Sequence, residues 1–222
     1  MLFWILYFVN GIIFLIFQLV ANQSIGLLIS KFLIMPLLFL VWFRNGGLQM
    51  KIGINICGAI FFSWIGDMVL AFSDKCIIYF GIGLSAFLTA HVFYIFAFRK
   101  EQMGNNRISL IGKNPWLVWS FIILLFGLLY LYWNNLGVLK IPVIIYASCI
   151  LTMLATALNR YSFVSNTSWK LVLVGATLFV ISDATIGFNK FVTPFGLARL
   201  LIMSTYIVGQ AFIIGGLLKN KT

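Results

Sequence analysis

Charged residues are scarce in this sequence. Only 9% of its 222 residues are Asp, Glu, Lys or Arg, whereas 63% are hydrophobic. A soluble globular protein has about a quarter of its residues charged. So little charge cannot cover a water-facing surface, which excludes a soluble domain and predicts that most of the chain lies in a lipid bilayer.

Acidic residues are the scarcest charged group. Four Asp and Glu stand against fifteen Lys and Arg, which gives a formal net charge of +11. In a soluble chain this balance would suggest nucleic acid, but the cations lie mostly between apolar runs and form no Lys/Arg-rich segment of five to eight residues. We therefore expect no nucleic-acid partner and interpret the cations as topology signals.

Residues and motifs for metal or nucleophilic chemistry are also scarce. The chain has one histidine and three cysteines, Cys57, Cys76 and Cys149, which share no short spacing. We expect no metal and no cofactor, and interpret the cysteines as packing residues. The sequence contains no Ser-His-Asp arrangement, Gly-x-Ser-x-Gly elbow, His-Glu-x-x-His helix or Gly-rich phosphate loop.

Long apolar runs dominate what is present. A transmembrane helix needs about 20 mainly apolar residues, and runs of this length cover 2–20, 25–43, 52–72, 76–98, 115–133, 139–158, 168–188 and 195–218. They predict an all-α polytopic membrane protein, in which eight transmembrane helices form one bundle and one domain over residues 1–222. The first run lacks a basic leader and a small-residue cleavage pattern, so we expect it to be retained as a span. The 99–114 connection is the only substantial predicted loop.

The loop cations are distributed unequally between the two sides. Loops 2–3, 4–5 and 6–7 with the C-terminus hold Arg44, Lys51, Arg99, Lys100, Arg107, Lys113, Arg160, Lys170, Lys219 and Lys221, whereas the other side holds Lys75, Lys140 and Lys190. The positive-inside rule then predicts that both termini are cytoplasmic. We expect a bacterial inner membrane, with an endomembrane as the alternative.

Two of the four acids lie inside predicted spans. Asp67 in span 3 and Asp183 in span 7 are each five residues, roughly 7.5 Å, from the predicted outer end. Ionisable groups at membrane depth normally face the bundle interior and have a partner or a role. Further polar residues lie in the same predicted layer (Lys31, Tyr146 and Arg199) or deeper (His91, Tyr206 and Gln210).

Each of these residues also has a structural interpretation. Lys31 and Arg199 can extend to the nearby interface, and Tyr146 can be an interfacial aromatic residue. His91 can hydrogen-bond another helix. The two aspartates can be counter-ions of Lys31 or Arg199 in a structural ion pair. Two acids and two bases at one predicted depth favour a functional interpretation of the set.

The polar positions also indicate an internal repeat. Lys31, Asp67 and His91 are separated by 36 and 24 residues, and Tyr146, Asp183 and Tyr206 by 37 and 23. Each half has four spans, so the two halves would keep the same orientation. The pattern predicts a parallel 4+4 pseudo-repeat with one site between the halves.

A pair of carboxyl groups can divide acid and base duties. One carboxyl protonates the substrate, while the other stabilises the cation or activates water, as in glycoside hydrolysis. Such a pair suits hydrolysis of an acid-labile C–O bond, but it equally suits a proton-coupled transporter, and a non-catalytic membrane protein also stays open. The residues alone leave these alternatives undecided.

Several segments resemble the YhhN family of membrane proteins, whose animal members are lysoplasmalogenases. The matching positions are Lys31 and Pro36 in SKFLIMPLL, the Gly66-Asp67-x-x-Leu70 motif, GLSAFLTAHVFY from Gly83 to Tyr94, Tyr146, FVISD from Phe179 to Asp183, and Thr205-Tyr206 followed by Gln210.

The resemblance implies an eight-span hydrolase that cleaves the vinyl ether bond of lysoplasmalogens, with a lysophospholipid substrate from the bilayer. It implies that Asp67 and Asp183 form the catalytic acid/base pair, and that Lys31 binds the phosphate or tunes the aspartates. Arg199 joins Lys31 on predicted depth alone. Tyr146, Tyr206, His91 and Gln210 would line the pocket. The headgroup preference and the oligomeric state stay open.

Overall fold

The computed structural model describes residues 1–20, 25–73, 76–104 and 106–220. None of these residues forms a β-strand, and they form nine α-helices connected by short 3-10 turns and loops. The helices are α1 (Leu2–Val20), α2 (Ile25–Arg44), α3 (Gly53–Leu70), α4 (Ile77–Lys100), α5 (Leu110–Lys113), α6 (Leu117–Tyr132), α7 (Lys140–Asn159), α8 (Asn166–Phe191) and α9 (Ala198–Leu218).

All the helices except α5 belong to segments that are long and apolar enough to cross a membrane. This confirms the all-α prediction and the eight predicted spans. The chain is an integral multi-pass membrane protein. Lys75 and Lys221, which belong to the predicted cation count, lie outside the described residues, as does Asp74, an acid between the third and fourth predicted spans.

Several helix ends differ from the predicted spans. Helix α8 continues to Phe191, three residues beyond the predicted end, and α4 continues to Lys100. Polar residues such as Asn189 and Lys190 end an apolar run without ending a helix, because they are compatible with helical backbone at the membrane surface. The 99–114 loop is correspondingly interrupted by α4 and by α5.

The chain divides into two compact units, Met1–Ala97 and Phe98–Thr222. Each unit has four of the eight long helices, except that the last three residues of α4 belong to the second unit. The boundary lies where the fourth predicted span ends. The internal repeat and the single domain stay predictions.

In the first unit, α2 packs against α1 and α3. Asn10 of α1 donates a hydrogen bond to the carbonyl of Ser30 at 2.8 Å. Phe62 of α3 stacks on Phe93 of α4 with ring centroids 5.6 Å apart. Side-chain donors and aromatic rings therefore tie the four helices of this unit together.

In the second unit, α8 and α9 pack with their backbones in contact. A Cβ atom on Gly175 of α8 would lie 2.6 Å from the carbonyl oxygen of Gly209 on α9. Small residues at such positions let transmembrane helices approach closely, where dispersion contacts and weak hydrogen bonds accumulate. In contrast, α6 buries only Leu129 and Tyr132.

A buried ion pair lies in the second unit, where α4, α7 and α9 end and α8 begins. Arg160, fully buried after α7, donates from Nε and Nη2 to the carboxylate of Glu101 at 2.6 and 3.1 Å. Ser168 of α8 accepts from Arg160 Nη2 at 2.9 Å, and Asn220 after α9 donates to Glu101 at 3.0 Å. The pair therefore joins the ends of four helices, and the loop cation Arg160 is buried and neutralised by Glu101.

Candidate active site

Asp67 is a buried carboxyl group near the end of α3. It is 3% exposed. The preceding Gly66 lets α4 approach, because a Cβ there would lie 2.6 Å from Cε2 of Phe87. Burial of an acid among apolar helices is unfavourable without polar partners. The polar groups around Asp67 therefore decide whether its burial is tolerated.

Two buried tyrosines accompany Asp67. Tyr7 of α1 and Tyr94 of α4 are both fully buried. Tyr7 interacts electrostatically with both Asp67 and Tyr94. Three helices thus contribute polar groups to one region of the first unit, and two of these groups are phenols that the sequence did not single out.

Lys31 and His91 belong to neighbouring helices of this unit. Lys31 on α2 is half-buried, and His91 on α4 is fully buried. The carbonyl groups on either side of Lys31 accept side-chain hydrogen bonds: Ser30 accepts from Asn10 at 2.8 Å, and Phe32 accepts from Trp64 Nε1 at 2.9 Å. The backbone of α2 is therefore held on both sides of Lys31.

Asp183 on α8 is half-buried and hydrogen-bonded. The hydroxyl of Tyr146 on α7 donates to its Oδ2 atom. Tyr146 is 9% exposed, so this phenol is inside the unit and is not an interfacial aromatic residue. Two of the residues that the sequence grouped are thus brought into direct contact.

The backbone next to Asp183 is fixed by two further side chains. The hydroxyl of Tyr132 on α6 donates to the carbonyl of Ala184 at 2.8 Å, and its ring packs over Gly187. Ser182 donates to the carbonyl of Ile202 on α9 at 3.0 Å. Asp183 therefore lies on a turn of α8 held by both α6 and α9.

The remaining predicted residues lie on α9. Tyr206 is 3% exposed, packs edge-on against Phe179 at 5.3 Å between ring centroids, and lies one turn before the fully buried Gln210. Arg199, on the same helical face, is exposed at the start of α9. The structure thus places two of the three inside the unit and the cation at its surface.

A cavity of about 600 Å³ lies at the start of α9. Its lining includes Leu197, Leu201 and Ser204. At 100° per residue, these three side chains project from the side of α9 opposite Tyr206 and Gln210. The cavity is therefore not part of the candidate site.

The helix ends change the depth comparison between the two acids. Asp67 lies three residues before the end of α3 at Leu70, whereas Asp183 lies eight residues before the end of α8 at Phe191. At 1.5 Å per residue, their distances from the helix ends differ by about 7.5 Å. Distances counted from the helix ends thus differ from those counted from the predicted spans, because the apolar runs and the helices end at different residues, and the shared depth of the two acids in the membrane stays a prediction.

The described residues contain no group of three or more His, Cys, Asp or Glu side chains that could hold a metal ion. Cys57 and Cys149 are half-buried and form no disulfide. Cys76 is exposed, so its interpretation as a packing residue was wrong. The candidate residues are carboxyl groups, phenols, an imidazole and cations, with Asp67 in the first unit and Asp183 in the second.

Comparison with known proteins identifies the relatives of this chain. It is 31% identical to lysoplasmalogenase TMEM86B of Sus scrofa over 158 residues, 70% of this chain and 60% of the relative. It is 34% identical to lysoplasmalogenase TMEM86A of Bos taurus, and 30% identical to that of Homo sapiens, over 68% of this chain and 60% of each relative. The chain spans about 60% of the length of these curated relatives.

No solved structure matches the chain significantly. The YhhN family matches it over residues 27–217, from the start of α2 to the last turn of α9. This segment contains Asp67, Asp183 and the other predicted site residues, whereas Tyr7 and the rest of α1 lie outside it. The chain belongs to the YhhN family.

Proposed function

We propose that this protein is a membrane hydrolase that cleaves the vinyl ether bond of lysoplasmalogen-type lysolipids. The products are a fatty aldehyde and a glycerophospho-headgroup compound. Family membership and the activity in the names of the curated relatives support this proposal. The observation that carries it is the hydrogen bond from Tyr146 to Asp183, because it gives an acid at membrane depth a dedicated polar partner.

The proposed chemistry needs one acid and one base. A protonated aspartate transfers its proton to the vinyl carbon that is not bonded to oxygen, which leaves an oxocarbenium ion on the ether side. Water adds to that cation while the second aspartate takes the water proton, and a hemiacetal forms. The hemiacetal collapses to an aldehyde and an alcohol, so the net reaction consumes one water and regenerates the acid and the base after proton exchange.

In this proposal the other polar residues bind the substrate or position the aspartates. Tyr146 holds the Asp183 carboxylate. Lys31 and the exposed Arg199 are cations for the substrate phosphate, since Lys and Arg are the usual phosphate partners in proteins. His91, Tyr206 and Gln210 line the pocket.

The decisive experiment removes each carboxyl group without changing its shape. Asp67→Asn and Asp183→Asn each keep hydrogen-bonding capacity but cannot transfer a proton. We expect each to lower aldehyde release from lysoplasmalogen by roughly 10²-fold or more. We expect the double variant to be hardly worse, because groups that act as one unit are not additive.

Asp74→Asn, an acid in a predicted loop, is the matched control and should keep full turnover. Melting temperatures in detergent, measured on the same preparations, separate catalysis from folding. Stable Asp67→Asn and Asp183→Asn variants with normal turnover would contradict the mechanism. Substrate-dependent flux into sealed vesicles without aldehyde release would instead favour a transporter.

A further inference from the structure

Pro36 leaves one backbone acceptor of α2 without its helical donor. It lies inside α2, which runs from Ile25 to Arg44. In an α-helix the N–H of residue 36 would bond the carbonyl of Phe32, but proline has no N–H. An unsatisfied carbonyl in the hydrocarbon core is strongly unfavourable, so a membrane protein must supply another donor.

Trp64 supplies that donor from the next helix. Its indole Nε1 donates to the carbonyl of Phe32 at 2.9 Å. The contact satisfies two needs at once, because the half-buried indole N–H of Trp64 also gains a partner. Pro36 and Trp64 therefore act together: the proline exposes an acceptor, and the tryptophan uses it to fix α3 against α2.

The hydrogen bond from Trp64 to Phe32 fixes how α3 is aligned along α2 next to two residues of the candidate site. Lys31 immediately precedes Phe32, and Asp67 follows Trp64 by three residues on a similar face of α3. Helices α2 and α3 are successive spans and run in opposite directions. The direction along α3 from Trp64 to Asp67 is therefore the direction along α2 from Phe32 back to Lys31. The rise of 1.5 Å per residue then puts Asp67 and Lys31 within about one turn of each other along the helix axes.

We propose that Trp64 is a positioning residue, which uses the acceptor freed by Pro36 to hold Asp67 at the level of Lys31. This inference rests on the proposed function for its catalytic consequence. A loss of register by one ångström at a reacting group can lower a rate by about 10²-fold. We therefore expect loss of the Trp64 hydrogen bond to lower turnover even in protein that stays folded.

The first experiment removes the donor and keeps the aromatic ring. We expect Trp64→Phe to lower kcat for aldehyde release by roughly 10- to 100-fold, with a smaller change in KM. Trp119→Phe is the matched control, since Trp119 is 65% exposed on α6. An unchanged kcat in Trp64→Phe would overturn the proposal.

A second variant separates positioning from the satisfaction of the carbonyl. In P36A/W64F the new alanine N–H can bond the Phe32 carbonyl within α2, so the melting temperature lost in Trp64→Phe should be largely restored. We expect kcat to stay low, because α3 is still not tied to α2. Recovery of both quantities would show that Trp64 only satisfies a carbonyl, and would overturn the proposal.

A third measurement does not depend on hydrolysis. In a background with Cys57, Cys76 and Cys149 replaced by serine, K31C/D67C should cross-link with a short bifunctional thiol reagent. We expect Trp64→Phe to slow this cross-linking several-fold, and Trp119→Phe to leave it unchanged. A wild-type protein without aldehyde release would contradict the proposed function, whereas cross-linking insensitive to Trp64→Phe would contradict the positioning role.

Discussion

Tyr146 on α7 donates its phenolic hydrogen to Oδ2 of Asp183 on α8. The sequence grouped these residues by depth, but depth could not tell a pocket-lining phenol from one that binds the acid itself. A phenol that donates to a carboxylate fixes the orientation of the carboxylate. Tyr146 is therefore expected to act through Asp183, and its direct contact with substrate is no longer required.

Tyr146→Phe removes this donor and keeps the ring. A hydrogen bond to a charged group contributes about 1.5–3 kcal/mol, and about 1.4 kcal/mol corresponds to a factor of ten in rate. We expect kcat/KM for aldehyde release to fall about ten-fold or more. Tyr130→Phe on α6, where the side chain is 85% exposed, is the control. Equal turnover in both variants would return Tyr146 to a purely structural role.

Glu101 and Arg160 should stabilise the second unit jointly. Removing one partner of a buried pair leaves the other charge uncompensated, at a cost of about 3–5 kcal/mol. We expect Arg160→Met and Glu101→Gln each to lower the melting temperature in detergent markedly, and the double variant to lose less than the sum of the two. The exposed Lys100 provides the control, Lys100→Met. Additive losses would mean that the pair is not coupled.

Gly175→Ala tests the contact between α8 and α9. The added methyl group would lie 2.6 Å from the Gly209 carbonyl oxygen and 2.8 Å from the Ile213 nitrogen, so the helices must separate. Overpacking of this kind costs about 1–3 kcal/mol. We expect a lower melting temperature, whereas Gly127→Ala on α6, which meets nothing within 4 Å, should not be destabilised. Equal stability of both variants would argue against close helix contact.

The proposed orientation can be checked with reporter fusions. Both termini are cytoplasmic if the loop cations set the topology. Reporters fused at the C-terminus and inside the 99–114 loop should therefore both be active only in the cytoplasm of a bacterial host. A C-terminal reporter active outside would reverse the orientation and move Asp67 and Asp183 towards the cytoplasmic side.

The number of helices was predictable from the sequence because hydrocarbon requires long apolar runs, and few residues interrupt them. The helix ends were less predictable, since they depend on contacts between distant residues. The side chain of Asn189, for example, accepts a hydrogen bond from the backbone N–H of Phe195. No local pattern in the sequence indicates this contact, which closes the turn after α8.

The acids of the candidate site were predictable because ionisable residues stand out in an apolar chain. The uncharged aromatic residues around these acids were not predictable. Tyr7 and Trp64 are single members of an aromatic set that makes up 17% of the sequence, and such residues usually face lipid or pack. The signal that could have found Trp64 is indirect: Pro36 inside a span implies a carbonyl in need of a donor. The burial of Arg160 was not predictable, because one sequence does not show that Glu101 neutralises it.

The backbone contact between α8 and α9 restricts how the proposed lysolipid substrate would reach Asp183. Two helices that touch through Gly175 and Gly209 leave no room for an alkyl chain to pass between them at that level. Helix α6 buries only two side chains along its length, whereas α7 buries seven. For a lipid that enters the second unit from the bilayer, we therefore expect α6 to be the helix that moves, which would open the hydrogen bond from Tyr132 to the Ala184 carbonyl.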